Sequence, residues 1–199
     1  MNLPNKLTIS RIVMAILIII LLLGGDYIVD LFGIKDDLFI NESIVVKLKY
    51  VVSGFLFIAA SLTDFLDGYI ARKYNLITDF GKLMDAIADK ILVNSVLIIL
   101  AGQGVIHPII PVVVIIRDSV VNSIKMLAAS KGKVVAAIKS GKIKTACLMT
   151  GIVITLFNNL PFEIWNISVG KVLLLIATVL SVTSGIQYYS LNKHLINSK

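Results

Sequence analysis

The chain is short of charge, of cysteine and of arginine. Of its 199 residues 16% are charged and 57% hydrophobic, and the mean hydropathy is +0.93. Soluble domains average about 25% charged and about 45–50% apolar residues, so a water-soluble globule is excluded and lipid is the expected surrounding. The lone cysteine, Cys147, cannot close an intramolecular disulfide and cannot build a CxxC redox pair or a zinc ribbon. Only three of the nineteen basic residues are Arg, and they are not interleaved with aromatics. The net charge of +7 therefore points away from nucleic acid and towards acidic lipid or phosphate-bearing small molecules. Repeats, low-complexity tracts and Pro/Gly/Ser-rich linkers are lacking, so a single membrane domain over 1–199 is a sufficient description. Gly141-Lys142 fails as a P-loop because Ile143 stands where Ser or Thr belongs. His107 and His194 fall on opposite sides of the expected membrane, which leaves no His-based triad with Ser or Cys147.

What is present is long apolar runs. Six stretches, near 7–25, 44–63, 82–106, 108–129, 143–161 and 167–190, approach the roughly 20 residues a helix needs to cross hydrocarbon. The expected fold is an all-α integral membrane protein, a bundle of six transmembrane helices. No small-residue cleavage site follows the first run, so it reads as an uncleaved span. With Met1 inside, Lys6, Arg11, Arg72, Lys73, Lys82, Lys90, Lys131, Lys133, Lys139, Lys142, Lys144, Lys193 and Lys199 lie on or near the cytoplasmic side, and both termini are cytoplasmic. Lys47 and Lys49 are expected to snorkel from one end of the second span. Trp165, Tyr188 and Tyr189 are expected to anchor membrane interfaces, and Gly102, Gly104, Pro108 and Pro111 to turn the chain between the third and fourth helices.

The informative segment is Ser61–Lys90, SLTDFLDGYIARKYNLITDFGKLMDAIADK. Asp64 and Asp67 are three residues apart and Asp85 and Asp89 four apart. On helices each pair shares one face, separated by about 5 Å and about 6 Å along the axis. Gly68, Ala71 and Gly81 flank these faces without bulk, leaving room for a ligand or a helix neighbour. An Asp at a span centre costs about 2.5–3.5 kcal/mol on the insertion scale, so four acids near one boundary require solvent or cations. Arg72, Lys73, Lys82 and Lys90 supply one answer, a salt-bridged helix end. Divalent metal is the other: oxygen-only ligands suit Mg²⁺ or Mn²⁺, and four carboxylates suffice for two ions about 3.5–4 Å apart.

Asp64-x-x-Asp67-Gly68-x-x-Ala71-Arg72, eight further residues, then Gly81-x-x-x-Asp85-x-x-x-Asp89 resembles the signature of the CDP-alcohol phosphatidyltransferases at every signature position. The resemblance implies six transmembrane helices in a homodimer, and attack of an alcohol hydroxyl on the β-phosphorus of a CDP-linked lipid with release of CMP. It further implies Asp64, Asp67, Asp85 and Asp89 as metal ligands, Asp89 doubling as general base. The nucleotide site it implies comprises Asp64, Asp67, Gly68, Ala71, Arg72, Gly81 and Asp85. Asn5, Thr8 and Arg11, three apart on one helical face, are similar to residues that line the nucleotide pocket in relatives; the alternative is an interfacial start to the first helix.

A phosphorylated acceptor would need a second cationic site. Arg117, beside Asp118 within the fourth apolar run, is the best anchor, because an intramembrane charge is a functional-site hypothesis by default. Lys133, Lys139, Ser140, Lys142, Lys144 and Thr145 follow in a basic loop. Arg117 together with Ser140-Gly141-Lys142-Ile143-Lys144-Thr145 resembles the phosphatidylglycerophosphate synthase branch of the family, which implies CDP-diacylglycerol and glycerol 3-phosphate as substrates at the cell (cytoplasmic) membrane. Asp118 departs from the Glu common there. The alternatives are a loop that only attracts anionic lipid, another acceptor (inositol phosphate, phosphatidylglycerol or serine, of which free serine needs no such patch), and a divalent-cation transporter. Transport is disfavoured because the acids cluster at one side instead of continuing through the membrane.

Overall fold

The structure, a computed structural model, describes residues 2–33, 37–40, 44–74, 78–133, 135–136, 138–165 and 167–197. Six long helices follow the six apolar runs: α1 (Leu3–Phe32), α2 (Leu48–Lys73), α3 (Asp79–Gly102), α4 (Ile109–Ser130), α5 (Lys139–Leu156) and α6 (Val169–Asn197). Between α1 and α2 lies a departure from an all-α fold, an antiparallel hairpin of β1 (Asp37–Ile40) and β2 (Ile44–Lys47) with Leu38 opposite Val46. The β-branched run Ile44-Val45-Val46 explains it, since such residues favour an extended backbone. The second apolar run therefore divides into a strand and a helix. Gly104, at φ 73°, and Pro108 sit in the expected turn before α4, while Pro111 enters its first turn, where a missing N–H costs nothing.

Successive helices run in opposite directions. The start of α1 meets the end of α2 and the start of α3, and the end of α6 meets the start of α5, where Ile138 N donates to Tyr188 Oη at 3.3 Å. At the other end Gln103 Nε2 donates to the Leu22 carbonyl at 2.6 Å. Lys49 is buried there against Asp26 at 2.5 Å, with Lys47 on the same carboxylate at 3.0 Å. That pair corrects the expectation that Lys49 snorkels: a nearby acid on α1 offers its ammonium a better partner than the interface.

One apolar core runs through all six helices, including Ile18 and Leu22 of α1, Phe57 of α2, Leu97 and Leu100 of α3, Val114 of α4, Leu148 and Ile152 of α5, and Leu174 of α6. Outward, Ile16, Ile20, Leu23, Phe55, Ile98, Ile116, Leu175 and Val179 are exposed, an apolar collar that water would not support. Among the described residues, Leu3–Phe32, Leu48–Lys73 and Val169–Lys193 are long and apolar enough to cross a membrane. The chain is a membrane protein; charges such as Asp85, Asp89, Arg117, Lys142 and Lys144 dilute α3, α4 and α5.

Inside lipid, helix association depends on close packing more than on exclusion of water. Gly151 of α5 permits it, for a Cβ there would stand 3.0 Å from Leu174 Cγ and 3.3 Å from Leu173 Cβ of α6. Gly151→Val should therefore lower the unfolding temperature of the detergent-solubilised protein, at a cost of about 1–3 kcal/mol. Gly102→Ala, where the added carbon meets nothing within 4 Å, should stay near wild type in the same melt.

Candidate active site

The last turns of α2 and the first turns of α3 bring Asp64, Asp67 and Asp85 together. One carboxylate oxygen from each lies within 4.8 Å of the others. At their centre is Arg11 of α1, wholly buried. Its Nη1 contacts Asp64 Oδ1 at 2.5 Å and Asp85 Oδ1 at 2.8 Å, and its Nη2 contacts Asp67 Oδ2. Asp67 is buried; the side chains of Asp64 and Asp85 are 45% and 50% exposed, so the cluster opens on one side. The counter-ion is thus Arg11, not Arg72, Lys73 or Lys90 among the described residues; the side chain of Lys82 lies outside them. With all groups ionised, three acids around one guanidinium leave two negative charges, and hard oxygens at this spacing fit the first shell of an octahedral Mg²⁺ or Mn²⁺. The grouping does not include Asp89.

A cleft adjoins the cluster. Its lining holds Asn5, Thr8, Asp67, Gly68, Ala71, Arg72, Gly81 and Asp85 of the expected nucleotide residues, together with Pro4 and Thr78. Arg11 and Asp64 are not in that lining. Arg11 is taken up by the carboxylates instead of presenting its fork to the cleft, although Nε has no partner among the described residues. Thr8 Oγ1 lies 3.3 Å from Asp67 Oδ2 and 3.1 Å from the Pro4 carbonyl, which ties the start of α1 to α2. Thr78 caps α3, its hydroxyl accepting from Gly81 N at 3.0 Å and facing Asn5 Oδ1 at 3.5 Å. Gly81 has no room for a side chain: a Cβ would come within 2.7 Å of Asn5 Oδ1 and 2.9 Å of Thr78 Oγ1. At Gly68 an added carbon would meet the Arg72 guanidinium at 3.6 Å, so that guanidinium lies close over a bare stretch of helix. Thr78 was legible only as a residue before a helix, an N-cap signal.

A second cavity lies along α3 from the first. Asp89, Lys90 and Asn94 of α3, Arg117, Asp118, Asn122 and Lys125 of α4, and Lys144 and Thr145 of α5 line it. An adjoining one is lined by Arg117, Lys125, Gly141, Lys142, Thr145 and Tyr188. Lys144 is buried, its Nζ 3.1 Å and 3.0 Å from the two oxygens of Asp118, and Arg117 Nη1 donates to the same carboxylate at 2.8 Å. Arg117 Nε donates to Ser184 Oγ of α6 at 3.1 Å. Gly141 lets the guanidinium in, since a Cβ there would sit 3.3 Å from Nη2. Lys139–Thr145 forms the first turns of α5, not a loop. Lys133, beyond the end of α4, and Lys139, the first residue of α5, are exposed and line neither cavity; Ser140 Oγ bonds Gln187 Oε1 at 2.7 Å. Tyr188, expected at an interface, is buried against this site, whereas Trp165 and Tyr189 are exposed.

Residues 1–183 match the family model for CDP-alcohol phosphatidyltransferase. The chain belongs to the CDP-alcohol phosphatidyltransferase family. It is 40% identical over 192 residues to a CDP-diacylglycerol–glycerol-3-phosphate 3-phosphatidyltransferase of Bacillus subtilis (strain 168), covering 96% of this chain and 95% of that one. To the protein of that name from Rickettsia typhi (strain ATCC VR-144 / Wilmington) it is 37% identical over 189 residues, covering 94% and 95%. CDP-alcohol phosphatidyltransferases are generally metal-dependent, and the Asp64, Asp67 and Asp85 oxygens are a donor set that would hold a divalent cation.

The guanidinium and a metal share the same carboxylates, which gives a test. Arg11→Met leaves three facing acids without their cation and should cost about 3 kcal/mol in EDTA. Adding Mg²⁺ or Mn²⁺ should then raise the unfolding temperature of the variant by more than that of wild type. An equal rise in both would separate the cluster from metal binding.

Proposed function

We propose that this protein transfers the phosphatidyl group of CDP-diacylglycerol to glycerol 3-phosphate, giving phosphatidylglycerol phosphate and CMP. The observation that carries the reading is the pair of compartments joined along α3: Asp85 lines the cleft and Asp89, one turn on, lines the cationic cavity. Nucleotide and acceptor then meet across about 6 Å of helix. The names of the relatives from Bacillus subtilis and Rickettsia typhi support the same pair of substrates.

In this reading the cleft takes the cytidine diphosphate. Gly68, Ala71 and Gly81 clear its walls, the capped start of α3 favours an anion, and Arg72 supplies planar donors to nucleotide or phosphate. Asp64, Asp67 and Asp85, with Asp89 as a further ligand, would hold up to two Mg²⁺ or Mn²⁺ ions, which when bound neutralise the pyrophosphate and the leaving phosphate. Arg117, Lys142, Lys144 and Thr145 hold the phosphate of glycerol 3-phosphate, and Ser140 steadies α5 beside them. Lys133 and Lys139 draw the anion inward from farther out. Asp89 accepts the proton of the attacking hydroxyl as the new oxygen bond to the β-phosphorus forms and the bond to CMP breaks. The displacement is direct, and no protein group becomes bonded to phosphorus.

The same reading places one domain over 1–199 in the cell membrane with six spans, both termini cytoplasmic, the active site facing the cytoplasm and two copies forming a homodimer. The positive residues gathered at the carboxylate end support that orientation. Acyl chains stay in lipid while the headgroup reaches water.

CMP release by the purified protein, given CDP-diacylglycerol and Mg²⁺ or Mn²⁺, should require glycerol 3-phosphate and fail with serine, inositol phosphate or phosphatidylglycerol. Asp89→Asn should reduce turnover by about 10²–10⁴-fold while CDP still binds, and Arg117→Ala should mainly raise KM for the acceptor. Serine-dependent release, or near-normal turnover in Asp89→Asn, would contradict the assignment.

A further inference from the structure

The cationic cavity contains a residue that no motif draws attention to. Lys125 lies two turns beyond Arg117 on α4, with Val121 between them on the same face, and lines both compartments of the acceptor region, as Arg117 does. The two side chains converge on one aromatic ring. The Arg117 guanidinium carbon is 5.5 Å and the Lys125 ammonium 5.8 Å from the centroid of Tyr188, itself only 3% exposed.

The surrounding charges are unevenly matched. Asp118 takes both Lys144 and Arg117. Among the described residues no carboxylate pairs with Lys125, an exposed residue whose ammonium lies near the ring. Two like charges brought to one ring repel each other, and a neutral π face offsets only part of that cost. A phosphate in the cavity that both residues line would offset that repulsion. Tyr188 also sets their positions: its hydroxyl accepts from Ile138 N immediately before α5, and Ser184, one turn earlier on α6, holds Arg117 Nε. The end of α6 thus backs the pocket and fixes both the α4 cations and the start of α5.

We propose that Lys125 is a further ligand of the acceptor phosphate, and that Tyr188 is the positioning residue that holds Lys125 and Arg117 at the wall of the cavity they both line. This deepens the assignment of the cavity as the glycerol 3-phosphate site and rests on it.

The test is steady-state CMP release by the full-length protein in detergent with CDP-diacylglycerol, varying each substrate in turn. Lys125→Met should raise KM for glycerol 3-phosphate about tenfold or more. It should leave kcat and KM for CDP-diacylglycerol within about twofold, because only acceptor binding is touched. Lys125→Arg should restore KM. Tyr188→Leu should reproduce the effect of Lys125→Met, and Tyr188→Phe, which keeps the ring, should retain most of the affinity. A wild-type KM in Lys125→Met alongside a raised KM in Arg117→Ala overturns this inference alone. Unchanged acceptor KM in both overturns the reading of the cavity with it. Loss of kcat in Lys125→Met with both KM values unmoved also overturns the role as a phosphate ligand.

Discussion

Three carboxylates gathered on one buried guanidinium are the constraint from which the rest of the site follows. Arg11 belongs to the first helix, Asp64 and Asp67 to the second and Asp85 to the third, so one polar knot fixes three helix ends against one another. None of these groups would be stable alone at that depth: an unpaired buried charge is costly, and three acids without a cation repel. Together they leave a net negative charge that is open on one side through Asp64 and Asp85. A site that is over-supplied with oxygen and still accessible suits a divalent cation and, beyond it, a pyrophosphate.

The third helix turns that knot into a meeting place. Its capped first turn borders the cleft beside the carboxylates, and Asp89 lines the cationic cavity formed with the fourth and fifth helices. Each compartment has its own electrostatic character, carboxylates beside the first and lysines and an arginine around the second. The sixth helix contributes through Ser184 and Tyr188, which orient Arg117 without touching the carboxylates. An apolar collar keeps the assembly in lipid, so a substrate with acyl chains need not leave the membrane to place its headgroup.

Much of this was legible in the sequence where the signal is local. Asp64 and Asp67, or Asp85 and Asp89, announce a shared helical face by spacing alone, and Gly68, Ala71 and Gly81 announce room beside it. The six apolar runs foretold six helices, although α1, α2 and α6 extend seven to ten residues past the expected ends. What escaped depends on partners far apart in the chain. Arg11 reads as an interfacial residue or a nucleotide contact until the fold brings acids 53, 56 and 74 positions away onto it. Lys49 reads as snorkelling until Asp26 appears beside it, and Tyr188 as an interfacial anchor until two cations settle on its ring. The hairpin was hidden because Ile44-Val45-Val46 continues the apolar run of α2, and the start of α5 because lysines resemble a loop.

Asp64, Asp67 and Asp85 offer one set of metal donors shared by two helices. Titration of Mn²⁺ into the detergent-purified protein, followed by electron paramagnetic resonance of the free ion, tests it most directly. Saturable binding should be seen in wild type and be lost or strongly weakened in both Asp67→Asn and Asp85→Asn, one substitution on each helix. Undiminished Mn²⁺ binding in both variants would mean that these carboxylates do not hold the ion.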